Sequence, residues 1–131
     1  MRLRLLGITW IAIAAARTCC AHSPPPVFTA DYYLMDPQRY LNKTTTLAVA
    51  FLTPRNEQRA DQLRSFDAYT YNLGKSGGLI SVVTPKSKAE SLTNLCGTRL
   101  KFSGRRVKTT MLRGTFLQER GGNRGYYLLI P

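Results

Sequence analysis

The sequence predicts a single mainly β domain with one short helix, on three observations. First, residues 44–53, 66–71, 79–84, 107–119 and 126–130 combine β-branched and aromatic residues with period-two alternation or short apolar runs, as half-buried and buried strands do. Second, turn residues separate them: Pro54, then Gly74, Gly77 and Gly78, then Pro85, then Gly121-Gly122-Asn123-Arg124-Gly125. Third, residues 87–96 carry apolar side chains at helical spacing instead. Composition agrees. A chain of 131 residues fits one domain, and 44% hydrophobic with 10% aromatic residues excludes a disordered chain.

Residues 27–35 carry Phe28, Tyr32, Tyr33, Leu34 and Met35 and read as an apolar lead-in that packs on the domain. Asp36 suits a helix cap and Pro37 the first helical position, so 36–42 are expected to form one or two helical turns with Tyr40 and Leu41 inward. In 44–53, Leu47, Val49 and Phe51 share one face. Thr46, Ala48 and Ala50 form the other, small enough to lie under other elements. Residues 54–65 are polar and charged, a loop or a short solvated helix. In 66–71, Phe66, Ala68 and Thr70 oppose Asp67, Tyr69 and Tyr71. A turn region over 72–78 leads to the short, buried strand 79–84.

Ser87-Lys88-Ala89-Glu90 matches a capping box. Ala89, Leu92, Leu95 and Cys96 recur at helical spacing, and Gly97 suits the left-handed residue that closes a helix. A further short strand is expected at 98–102, with Leu100 and Phe102 inward, then a basic turn at 103–106. In the long strand 107–119, Leu112, Gly114 and Phe116 share a face, and Gly114 marks a bend or a close backbone approach.

The order strand, strand, strand, helix, strand, strand resembles the OB-fold, a small closed Greek-key barrel with a helix between its third and fourth strands. The resemblance is carried by Asp36-Pro37 and Tyr40-Leu41-Asn42-Lys43 leading into Leu47 to Phe51, by the helix at 87–96, and by Leu112-Arg113-Gly114-Thr115-Phe116 followed by 126–130. It covers about residues 36–131 and implies an α+β small barrel of five or six strands. The extra strand at 98–102 departs from the pattern, and another small barrel or a compact α+β sheet would carry the same order.

The N-terminus has a different character. Arg2 and Arg4 precede an apolar run, 5–16, in which only Thr9 is polar, and Ala14-Ala15-Ala16 follow within it. This is the layout of a secretory signal peptide. A run of twelve residues is short for a bilayer span of roughly 20; a buried helix or retained anchor is the plainer alternative. Residues 1–21 are thus expected to be an export segment cleaved after Ala16 or Ala21, 22–26 a Pro-rich spacer, and 27–131 the domain. The expected destination is the periplasm or the exterior. Cys19 and Cys20 raise a lipid anchor, but Ala16-Arg17-Thr18 fits a lipobox poorly, so a lipoprotein ranks below simple secretion. Only Cys96 remains in the domain, which has no internal disulfide and in which Cys96 reads as a small buried hydrophobe.

The chain has net charge +12. Without Arg2, Arg4 and Arg17 there remain 16 basic against 7 acidic residues, a net +9. Such an excess attracts polyanions: nucleic acid, acidic glycans or anionic lipid. It is also what a plainly soluble basic surface looks like.

Catalytic residue types are scarce. The one histidine, His22, lies beside the export segment, so neither a His-containing triad nor a zinc cluster can form in the domain. Asp61 and Asp67 have no evident partners, and no metal or cofactor is implied. Leu73-Gly74-Lys75-Ser76 imitates the end of a phosphate loop, but Tyr69 stands where its first glycine belongs and a strand follows instead of a helix. Asn42-Lys43-Thr44 is a glycosylation sequon that carries no weight without a eukaryotic context.

Surfaces remain. The resemblance implies ligand binding on strands two and three and on the loops after strands one and four. There the sequence has Tyr69 and Tyr71, then Arg55, Arg59 and Arg64, then Arg120 and Arg124. Aromatic rings for stacking beside cations for phosphates suit a single-stranded nucleic acid or an acidic glycan; the bland reading is tyrosines that merely cover a sheet. A second basic cluster, Arg99, Lys101, Arg105, Arg106 and Lys108, could face anionic lipid or an acidic protein, or simply protect a sheet edge. The expectation is an exported, non-enzymatic binding module whose basic loops engage a polyanion or an acidic envelope partner. The alternative is a structural or protein-interaction domain with no polyanion ligand.

Overall fold

The computed structural model describes residues 27–56, 62–120 and 125–131. The expected export segment and spacer, with Glu57, Arg59, Asp61 and Arg124, lie outside the described residues. In chain order the elements are α1 (Ala30–Met35), α2 (Pro37–Tyr40), β1 (Thr44–Pro54), β2 (Leu63–Asn72), β3 (Lys75–Pro85), α3 (Lys86–Cys96), β4 (Phe102–Ser103), β5 (Arg106–Val107), β6 (Thr110–Gln118) and β7 (Tyr126–Leu129).

Five strands close into a barrel in the order β1-β2-β3-β7-β6, with β6 returning to β1. All pairs are antiparallel except β3 with β7. Closure leaves the barrel no free edge. With α3 inserted between the third and fourth barrel strands, the order is compatible with an OB-like barrel.

The interior is filled by side chains, as in small barrels generally. Leu47, Val49, Leu52, Phe66, Ala68, Val82, Leu112, Phe116 and Leu128 are all buried there. The two ends are plugged by helices. At one, α3 contributes Leu92 and Cys96. At the other, α1 contributes Ala30 and Tyr33.

The lead-in over 27–35 is therefore a helical plug, tied down by polar contacts. Thr29 caps α1, accepting from Tyr32 N. The Val27 carbonyl accepts from Asn72 Nδ2 at 2.7 Å and the Phe28 carbonyl from Ala48 N at 2.7 Å. Ala30 N donates to Thr70 Oγ1 at 2.9 Å, and Tyr33 OH donates to the Thr46 carbonyl at 2.7 Å. Such close approach needs glycine opposite: a Cβ on Gly77 would overlap the Thr29 side chain.

Four local expectations change. The alternation in β1 is broken by a bulge: Val49 pairs with Thr70 and Phe51 with Tyr69, leaving Ala50 as the extra residue. Phe51 therefore turns out of the barrel and Leu52 turns in. The 72–78 turn shrinks to two residues, Leu73 and Gly74, with φ of 51° and 77°. Positive φ at both central residues is the type I′ geometry that matches strand twist, and a leucine there costs roughly 1–2 kcal/mol. The expected strand 98–102 reduces to β4, which pairs with β5 at the start of the expected strand 107–119, and the rest of that strand is β6 from Thr110 to Gln118; Leu100 and Phe102 are exposed, not inward. Finally, α3 begins at Lys86, which puts Ser87 inside the first turn, so no side chain caps it. Its other end is as expected, with Gly97 at φ 74° donating to the Thr93 carbonyl. Gly114 marks a close approach: a Cβ would meet the Leu129 backbone on β7.

Candidate functional site

The candidate site lies on the outer wall of β1, β2 and β3. The bulge puts Phe51 directly opposite Tyr69, and Tyr69 is in turn opposite Leu79 on β3. The Phe51 and Tyr69 rings stack with centroids 5.0 Å apart and planes 15° from parallel. Tyr69 OH lies 2.8 Å from Ser76 Oγ, which holds the ring flat on the wall. Leu79 is exposed beside it. The result is an apolar platform three strands wide.

Two residues further along β2, on the same face, Tyr71 leads into a groove of about 540 Å³. One side of the groove is the β2–β3 hairpin, with Tyr71, Asn72, Leu73 and Gly74. The other is the end of the β4–β5 ribbon, with Arg105, Arg106, Val107 and Thr109. The ribbon is a hairpin in its own right: Phe102 pairs with Val107 and Ser103 with Arg106, and Lys108 N donates to the Lys101 carbonyl. Gly104, at φ 63°, makes its tight turn.

The tyrosines expected from the sequence are thus on one wall, but the cations beside them are not the expected ones. Arg105 and Arg106, from the second basic cluster, share a groove with Tyr71. Arg55 sits at the far end of the wall, 3.5 Å from Asp67, so its charge is matched. Arg64 is exposed where β2 begins, and its Nη1 donates to the neighbouring Leu63 carbonyl at 3.2 Å. Arg120 is exposed over a separate groove of about 590 Å³, lined by Leu41, Asn42, Leu117, Gln118, Glu119 and Tyr127. It shares no lining residue with the Tyr71 groove. Arg99, Lys101 and Lys108 are exposed on the connection around the ribbon.

Sequence reasoning missed Phe51 and Leu73. Period-two alternation assigns Phe51 to the side of Leu47 and Val49, and only the small run Ala48-Val49-Ala50 hints that the strand can bulge there. Leu73 sits beside Gly74 in a sequence that reads as loop.

The buried thiol is the remaining reactive group. Cys96 is 4% exposed, and burial pushes its pKa up to about 11 against an opposing hydrogen bond from Thr110. It is therefore a protonated, inert member of the core at neutral pH. Among the described residues no three His, Cys, Asp or Glu side chains converge as metal ligands would. Comparisons with protein-family models, with curated proteins and with solved structures find no match.

Proposed function

We propose that this chain is an exported, non-enzymatic OB-like module that binds an extended polyanion along the outer wall of β1–β3. One observation carries the reading: Tyr71 shares a groove with Arg105 and Arg106, next to the stacked Phe51–Tyr69 platform. A chain of planar rings and negative groups needs that alternation. Rings lie on the aromatic platform, and phosphates or carboxylates meet the guanidinium groups, whose planar forks grip two oxygens at once. The net +9 that remains beyond residue 21 supports it by drawing such a chain in. Export is supported by the order of Arg2 and Arg4, the apolar run and the small residues after it.

The test is titration of the full chain with a fluorescent oligothymidylate and with a fluorescent acidic polysaccharide, each at low and high salt. Binding is expected to fall steeply with salt. Tyr71→Ala is expected to weaken the preferred ligand about tenfold to a hundredfold, the worth of one stacked ring. Arg106→Ala is expected to weaken both ligands and flatten the salt dependence. Unchanged affinity in both variants refutes the site, and no binding at low salt refutes the reading.

A further inference from the structure

We infer that the β2–β3 hairpin and the β4–β5 ribbon form a two-pronged docking surface for an anionic phospholipid bilayer, which shares Arg105 and Arg106 with the groove proposed for the polyanion. The two tips are neighbours, because Leu73 and Gly74 of one and Arg105 and Arg106 of the other line the same groove. Each hairpin exposes a large apolar side chain, Leu73 in the β2–β3 turn and Phe102 at the start of the β4–β5 ribbon, before its Gly104 turn. Leu73 is 67% exposed and Phe102 is 63% exposed.

Exposed cations accompany each apolar side chain along the chain. Lys75 is exposed two residues after Leu73. Residues 97–110 hold Arg99, Lys101, Arg105, Arg106 and Lys108, all exposed, and contain no acid. Asp31 is the nearby carboxylate on the outer flank of the first hairpin, where it faces Gly78 and lines a hollow with Leu73 and Lys75. In the ribbon the two characters are sorted by face: Phe102 opposite Val107 on one, Ser103 opposite Arg106 on the other.

The backbone at Leu73 singles out this tip. A type I′ turn takes Asn-Gly most readily, and Gly74 is already present. A leucine at φ 51° is strained, and here it packs no core. Strain maintained for an exposed apolar side chain points to a contact made outside the domain. A soluble polyanion offers such a side chain nothing. A bilayer with anionic headgroups offers both partners within a few ångströms of depth: phosphates for the cations and acyl chains for the leucine and the phenylalanine.

The test needs a reporter at the prong itself, because the apolar run near the N-terminus can bind lipid independently. Trp10 is the one tryptophan, so the full chain with Trp10→Phe and Phe102→Trp reports only from the ribbon. Vesicles of phosphatidylcholine with about one third phosphatidylglycerol are expected to shift its emission to the blue, and brominated acyl chains to quench it. Phosphatidylcholine alone is expected to do neither, and high salt to reverse the shift. Each cation near the surface contributes about fivefold, so Lys101→Glu is expected to weaken partitioning by at least that factor. Leu73→Asn is expected to weaken it about tenfold, while raising the unfolding midpoint because Asn suits the turn. Emission unchanged by any vesicle, or an equal shift with neutral vesicles, overturns the proposal. So does a shift that brominated acyl chains do not quench, or one that appears with rising protein concentration alone and so assigns the hairpins to a second copy. None of these variants removes Tyr69, Tyr71 or Arg106, so failure here and failure of polyanion binding are read separately.

Discussion

Thr70 and Thr84 allow one substitution to be made twice in the same barrel with opposite expected results. Both are fully buried strand residues. Thr70 Oγ1 accepts from Ala30 N at 2.9 Å and donates to the Gly78 carbonyl at 2.9 Å, joining the α1 plug to β2 and β3. Thr84 Oγ1 has no hydrogen-bond partner among the described residues. Valine preserves the shape and removes only the hydroxyl. Thr70→Val leaves the buried Ala30 N–H without its partner and removes the donor to the part-buried Gly78 carbonyl, at about 1–3 kcal/mol each. Allowing for partial relaxation, the expected loss is about 2–4 kcal/mol, or roughly 10–20 °C in Tm for a domain of this size. Thr84→Val leaves nothing unpaired and removes a desolvated hydroxyl, so stability is expected to stay level or rise by about 1 kcal/mol. Urea unfolding followed by far-UV circular dichroism gives both values from midpoints at constant slope. Equal losses in the two variants would refute the reasoning, since the hydroxyl partners would then not set the cost.

Two further outcomes follow from packing and from burial. Gly77→Ala is expected to cost several kcal/mol, because its Cβ would overlap Thr29 and approach Thr70 Oγ1 to 2.9 Å; Gly125→Ala, with open space around it, is expected to leave the urea midpoint unchanged. The Cys96 thiol has its pKa raised by burial from 9.0 to about 11, so the folded state holds its proton more tightly than the unfolded chain does. Its contribution is full below about pH 9 and is lost as pH rises towards 11, up to about 2–3 kcal/mol. Burial raises the Tyr33 hydroxyl as well and acts in the same direction at higher pH. Unfolding free energies of the wild type and Cys96→Ala across that range check the assignment: the variant is expected to lose less stability than the wild type, and parallel curves would refute it.

What can be read from the sequence is what depends on local pattern. The strand at 66–71 buries Phe66, Ala68 and Thr70 as alternation predicts, strands occur at 79–84 and 126–130 though the first reaches back to Lys75 and leaves Leu79 exposed, and α3 is closed by Gly97 at φ 74°. The order of elements along the chain, with a helix after the third strand, follows from counting them. What cannot be read depends on pairing between distant segments. A bulge is invisible until a partner strand exists to count against, so alternation assigns Phe51 to the wrong face. The two-residue turn at Leu73-Gly74 carries a leucine where turn chemistry asks for asparagine or glycine, so it reads as loop. The ribbon at 102–107 is too short to show a period, and its cations cannot be assigned to the Tyr71 groove without the fold.

These unread features are the ones that make the candidate site, and the reason is geometric. The barrel interior is packed with Leu47, Val49, Phe116 and Leu128, and the candidate binding surface lies on the outside. An outer wall of alternating strands carries polar residues by default. Two register shifts alter it here. The extra residue in β1, between Val49 and Phe51, delivers a phenylalanine to the outside. The extra residue in β3, between Ser76 and Leu79, falls at Gly77 and Gly78 and admits the α1 plug while Tyr69 and Tyr71 stay on one face. Regular pairing onward from Val49 and Thr70 would set Ala50 opposite Tyr69 and Phe51 opposite Ala68, inside the barrel, and would leave the platform without its second ring. The aromatic platform is thus a property of strand register, and its cost in regular pairing is carried by the same residues that build the site.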